Sequence, residues 1–335
     1  MEESRISGSL CKITLLIVCW VICGGNSCSK EELASPGTER QSFSGGFSAG
    51  KVTANELTEV SGIAGGISNP GFIWVHNDSG DEPRIFALTE EGKHIAIYYL
   101  KSAQAIDWED MASGPGPVRG KNYLYIADIG DNLSKRSGVE IYRFEEPVLK
   151  NRETPYTDTV EKGDIDVFVL KYEDGPRDAE TFMIDPLSGN AYIVTKRENQ
   201  SRLYKVKLPP DSLNIRAALN TRAALNTRPA LNTRPAGDTL VLKLAGILTH
   251  SGMTGGDISP DGNEIVLKNY NRLFYWQRTG DTALERVMAH KARRLPYVPE
   301  PQGEAIAWKK DGSGFFTLSE EAVGIAPVLY WYKRR

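Results

Sequence analysis

From residue 56 onward the chain alternates short apolar runs with polar, glycine-rich breaks. Phe72-Ile-Trp-Val, Arg84-Ile-Phe-Ala-Leu, His94-Ile-Ala-Ile-Tyr-Tyr-Leu, Asn122-Tyr-Leu-Tyr-Ile-Ala and Val139-Glu-Ile-Tyr-Arg-Phe are rich in β-branched and aromatic residues. Asp164-Ile-Asp-Val-Phe-Val-Leu, Ala191-Tyr-Ile-Val-Thr, Leu203-Tyr-Lys-Val, Thr239-Leu-Val-Leu, Glu264-Ile-Val-Leu and Val328-Leu-Tyr-Trp-Tyr continue the series. Runs of this length and type, bounded by Asp, Gly, Asn and Pro, predict strands and turns. No stretch carries the 3.6-residue apolar period over three turns, so the body is predicted to be all-β.

The strands fall into repeats. Ser61-Gly-Ile-Ala, Glu109-Asp-Met-Ala, Glu180-Thr-Phe-Met, Gly256-Asp-Ile-Ser and Glu304-Ala-Ile-Ala share one plan, and they start 48, 71, 76 and 48 residues apart. A second element, Asp78-Ser-Gly-Asp-Glu, returns 50 residues later as Asp128-Ile-Gly-Asp-Asn. Units of this size holding four strands are propeller blades. The expected fold is a single β-propeller over residues 51–335, with five four-stranded blades. The last blade supplies three strands, so Lys51-Val-Thr-Ala is expected to close the ring and remove an exposed sheet edge. The fourth blade is expected to end in a strand near 282–288, and residues 151–163 read as a polar linker.

Those repeats carry a resemblance. Glu59-Val-Ser-Gly-Ile, Asp107-Trp-Glu-Asp-Met, Asp178-Ala-Glu-Thr-Phe, Gly255-Gly-Asp-Ile, Gln302-Gly-Glu-Ala-Ile-Ala and Leu318-Ser-Glu are similar to motifs of the SdiA-regulated family of five-bladed propellers. The resemblance spans roughly residues 56–333. It implies an envelope protein with a calcium ion at the propeller axis and no established enzymatic activity.

The two ends of the chemistry are separable by cysteine. Cys11, Cys19, Cys23 and Cys28 all precede residue 29, so the body has neither a disulfide framework nor a cysteine zinc site. Arg5 and Lys12 precede the apolar run Ile13–Ile22, which is too short to span a bilayer and has the length of a signal core. With Ser27 before Cys28, residues 1–27 resemble a bacterial lipoprotein signal, and Cys28 is the expected lipidation site. Residues 28–50 then form a Ser/Gly-rich tether. Ser29-Lys-Glu-Glu is similar to a surface-export signal, so the expected address is the outer membrane of a Gram-negative bacterium, facing either the cell surface or the periplasm. Arg216-Ala-Ala-Leu-Asn-Thr and two further copies make 211–237 a low-complexity loop insertion; a six-residue period and two prolines exclude a continuous helix.

Composition adds exclusions. With 40 basic and 43 acidic residues the net charge is −3, which excludes the basic field of a nucleic-acid binder. His76, His94, His250 and His290 include no His-x-x-x-His pair.

Equivalent positions on the first strands converge on the channel. Glu109, Glu180 and Glu304 share one repeat position, and Asp257 sits one place along in its blade. Converging carboxylates repel unless they are protonated or neutralised, and an all-oxygen set favours Ca²⁺. The alternative is that these acids cap backbone amides or bind channel water. Asn77, Asp78, Asp128, Asp131, Lys196, Asn269 and Glu320 are expected around the channel mouth. The expected function is a monomeric, lipid-anchored binding module for a peptide, glycan or protein. The competing expectation is a metal-dependent lactonase, esterase or phosphoesterase using the same carboxylates.

Overall fold

The computed structural model describes residues 42–209, 239–321, 324 and 326–335. The signal segment, Cys28, most of the tether and the 211–237 repeat lie outside the described residues.

Twenty-one strands follow one another among the described residues. The first unit is β2 (Val60–Gly65), β3 (Phe72–Asn77), β4 (Arg84–Thr89) and β5 (His94–Leu100), preceded by β1 (Phe47–Lys51). The second unit is β6 (Trp108–Pro115), β7 (Asn122–Asp128), β8 (Val139–Glu145) and, after β9 (Tyr156–Val160), β10 (Ile165–Tyr172). The third is β11 (Ala179–Ile184), β12 (Asn190–Thr195), β13 (Arg202–Lys207) and β14 (Leu240–Ile247). The fourth is β15 (Gly255–Ile258), β16 (Glu264–Asn269), β17 (Arg272–Gln277) and, after helix α1 (Leu284–Met288), β18 (Arg293–Leu295). The last is β19 (Gly303–Trp308), β20 (Gly314–Ser319) and β21 (Val328–Lys333), to which β1 adds antiparallel.

Within each unit, neighbouring strands pair antiparallel. The innermost strands β2, β6, β11, β15 and β19 pack against one another in that order, and β19 returns to β2. Side-chain packing repeats the ring, because each apolar cluster lies between two successive units. Trp74, Tyr98, Trp108 and Tyr142 fill the space between the first and second. Phe168, Phe182 and Tyr204 fill the next, Tyr192, Leu267 and Trp276 the one after it. Val266, Tyr275, Trp308 and Phe315 join the fourth unit to the last, and Phe86, Leu318 and Leu329 close the circle. The inner strands are therefore buried on both faces, β2, β11 and β19 throughout their length. The protein is an all-β propeller.

Three segments differ from the sequence reading. The closing strand is Phe47–Lys51, four residues earlier than expected, so residues 42–50 belong to the fold. Phe43 anchors it, 5% exposed, with its ring 5.2 Å from Phe315 and 5.8 Å from both Tyr275 and Trp308. Residues 282–288 are not a strand. Leu284, Val287 and Met288 are spaced i, i+3, i+4 and bury one face of α1, and the fourth unit ends instead in β18. The presumed linker holds β9, which runs parallel to β5 and covers that edge. A parallel pairing of β10 with β14 joins the second and third units at their outer edges.

Candidate metal centre

The site is built from one position repeated. Ser61, Glu109, Glu180 and Glu304 are each the second residue of an innermost strand, and each falls where the ladder to the next strand is irregular. Trp108 faces Asp128 and Asp110 faces Ala127, leaving Glu109 unpaired between them. The same skip occurs at Ser61, Glu180 and Glu304. A bulge of this kind re-aims a side chain out of the regular alternation. Three of the four bulged residues are glutamates, and one carboxylate oxygen from each lies within 4.8 Å of the others. Ser61 carries no charge, and its hydroxyl donates to the backbone carbonyls of Trp108, at 3.2 Å, and Glu109.

The fourth unit has no bulge. Gly255, Gly256, Asp257 and Ile258 pair consecutively with Lys268, Leu267, Val266 and Ile265. Gly255 lets β15 close on its neighbour, because a Cβ there would sit 2.4 Å from the Glu304 carbonyl oxygen. Asp257 consequently stands apart from the three glutamates. Its carboxylate accepts the N–H of Ile258 and that of Trp308, both at 2.8 Å, and Lys310 lies 3.5 Å away. Asp110 does the same work in the second unit, accepting Met111 N–H at 2.8 Å and Phe182 N–H at 2.9 Å. Both acids tie one inner strand to the next, as amide acceptors rather than axial ligands.

A second tier is formed by the first residue after four of the five second strands. Asp78, Lys196, Tyr270 and Glu320 occupy this place after β3, β12, β16 and β20. Lys196 donates to Glu180, lies 3.6 Å from Glu304 and donates to the Tyr270 hydroxyl at 3.0 Å. Tyr270 in turn donates to Glu304 at 2.5 Å. Glu320 accepts from the Gln302 amide. Asp78 belongs to a further carboxylate group with Asp107 and Glu109, again within 4.8 Å.

Three other expected mouth residues, Asn77, Asp128 and Asn269, are strand ends, one residue before this tier, and Asp131 lies in the loop after β7. Asn77 and Asp128 each accept the backbone N–H that precedes the neighbouring inner strand, from Glu59 at 3.2 Å and Asp107 at 3.3 Å. Asp128 is also held by Arg136 at 2.7 Å. Asn269 organises its own turn through Asn271 N–H at 3.0 Å. Asp131 accepts Arg136 N–H at 2.7 Å while its own amide donates to Asp178 at 2.9 Å. Asp107, Tyr270 and Gln302 were not singled out from sequence. The signal was available: each follows from continuing the repeat one residue before an inner strand or one after a second strand.

Crowding in this space shifts the acids upward. Burial, reinforced by Glu180, Asp78, Asp107 and Glu304, raises Glu109 well above the ordinary carboxylate range. Burial and Glu304 push Glu180 up to about 8, outweighing Lys196. Asp78 is raised to about 6 and Glu320 to about 7, in both cases by burial first and by Glu304 among the neighbouring charges. Glu180 Oε2 is buried with no hydrogen-bond partner. His76 is shifted downward instead. It is fully buried, with Nδ1 2.8 Å from the Asn77 carbonyl and its ring 5.4 Å from Trp108, and burial lowers it to about 4.

No family model matches the chain, and no curated protein matches it. Among solved structures, it is similar to the Kuenenia stuttgartiensis hydrazine synthase, at 9% identity and a TM-score of 0.39, over 81% of this chain and 82% of that one. It is also similar to the Dos1 propeller, at 7% identity and a TM-score of 0.35, over 87% of this chain and 95% of that one.

Proposed function

We propose that this chain is a five-bladed envelope propeller of the SdiA-regulated kind, one blade per innermost strand, that holds a calcium ion between Glu109, Glu180 and Glu304. The neighbouring mouth, bordered by Asp78, Lys196, Tyr270 and Glu320, receives a peptide, glycan or protein partner. The observation that carries this reading is the convergence of three buried carboxylates from three strands, with Glu180 Oε2 left unpartnered. A buried acceptor without a donor costs about 1–3 kcal/mol, more when charged, and a cation removes that cost. An all-oxygen ligand set suits Ca²⁺, which takes six to eight oxygens in flexible geometry at about 2.3–2.6 Å. Lys196 supplies one positive charge to the same oxygens and yields to the ion through its flexible stem.

A binding role is favoured over hydrolysis because His76, the histidine beside this tier, is fully buried with its Nδ1 against the Asn77 carbonyl. Calorimetric titration of calcium into chelator-stripped protein tests the ion, with binding expected for the wild type and lost from the axial site in Glu180→Gln. The address extends the proposal: Cys28 carries the lipid, and the propeller is displayed from the outer membrane. Radiolabelled palmitate incorporation should disappear in Cys28→Ala, and protease shaving of intact cells should report which way the propeller faces.

A further inference from the structure

The axial trio is only half of the carboxylate arrangement. Asp78, Asp107 and Glu109 form a second group within 4.8 Å, sharing Glu109 with the first. Glu109 is 3% exposed, and among the described residues no hydrogen bond or ion pair reaches its carboxylate. The largest neighbouring charges acting on it are all negative, from Glu180, Asp78, Asp107 and Glu304. A buried carboxylate aimed at two sets of like charges, with no donor of its own, calls for a cation on each side.

Backbone geometry supports this. The loop after β7 passes against the second group at Gly130, where a Cβ would stand 2.2 Å from Glu109 Oε1 and 2.4 Å from Asp107 Oδ2. The missing side chain keeps these two oxygens beside each other at the wall of the group. Charge points the same way. Among the described residues the one cation in an ion pair with these five carboxylates is Lys196; Arg136, whose charge also acts on Asp107, is paired with Asp128, and Arg197 with Asp178. One divalent ion leaves a formal surplus of two negative charges, and a second removes it.

We propose that a second calcium ion binds between Asp78, Asp107 and Glu109, with the Glu109 carboxylate bridging it to the axial ion. The proposal rests on the axial site described above and adds a two-cation centre at the channel mouth.

Calcium stoichiometry separates the two sites. Equilibrium dialysis of the full, chelator-stripped chain against radioactive calcium should give two ions per chain, one in Asp107→Asn and one in Glu180→Gln. Gly130→Ala, which keeps every ligand but fills the wall, should weaken one of the two ions at least tenfold. Near-ultraviolet circular dichroism checks that each variant is folded. One ion in the wild type that Asp107→Asn and Gly130→Ala leave untouched overturns the second site while the axial one stands. One ion lost in Asp107→Asn but kept in Glu180→Gln overturns the axial site instead. No bound calcium overturns both.

Discussion

The Lys196 Nζ lies 3.6 Å from Oε1 of Glu304 while it is also bonded to Glu180, so one ammonium serves two of the three axial carboxylates. Lys196 is the chain's own counter-ion and the competitor of any metal. Replacing it with methionine leaves both acids buried and uncompensated, which for a buried pair costs about 3 kcal/mol. Lys196→Met should therefore unfold at lower urea without calcium, recover with calcium, and bind the ion more tightly than the wild type. Unchanged stability in chelator would show that the ammonium contributes nothing there.

The raised acids make stability depend on pH with a definite sign. Glu180, at about 8, Glu320, at about 7, and Asp78, at about 6, keep protons in the folded state that the unfolded chain releases at lower pH. Because the folded state binds more protons in this window, cation-free stability should fall as pH rises from the ordinary carboxylate range towards about 8. Without calcium the melting temperature should be lower at about pH 8 than at about pH 6.5, a window above the range in which buried His76, lowered to about 4, contributes the opposite slope. Saturating calcium should abolish the decline, since the ion replaces those protons. A melting series across pH, with and without calcium, reads both effects.

Asp257 and Asp110 should behave as structure. In Asp257→Asn the amide nitrogen cannot accept from either Ile258 or Trp308, so one buried N–H loses its acceptor, costing about 1–3 kcal/mol. Denaturant midpoints should drop accordingly. The number of calcium ions bound should not change, and a lost ion would return Asp257 to the ligand set.

Ring closure depends on residues that precede β1. Phe43 packs on Tyr275, Trp308 and Phe315, and Phe43→Ala should cost about 3 kcal/mol. Hydrogen exchange should then rise first in β1 and β21. Uniform loss of protection would place Phe43 in the common core instead.

Strand content, the repeat and the position of Glu109, Glu180 and Glu304 were all legible, because the strands outside the innermost ring carry β-branched and aromatic residues and the acids recur in phase. What failed was register by one residue. Aligning Asp78-Ser-Gly-Asp with Asp128-Ile-Gly-Asp matched letters, whereas the ladders match Asn77 with Asp128. A one-residue slip sends a side chain to the other face, and so Asp128 meets backbone amides while Asp78 meets the acids. Nothing in the letters Gly256-Asp257 announces that this unit lacks the bulge the other four have, and Asp257 falls outside both carboxylate groups. Helix α1 was hidden by its length, since five residues give too little periodicity to separate it from a strand.

The central claim is that the axial glutamates hold calcium. The most direct test is the thermal midpoint of the full chain, stripped with chelator and titrated with calcium, beside Glu180→Gln. Binding to the folded state alone raises the midpoint in proportion to the logarithm of ligand excess. The account predicts a rise of several degrees with calcium in the wild type and a much smaller one in Glu180→Gln. A flat wild-type response, or an equal rise in both proteins, would contradict it.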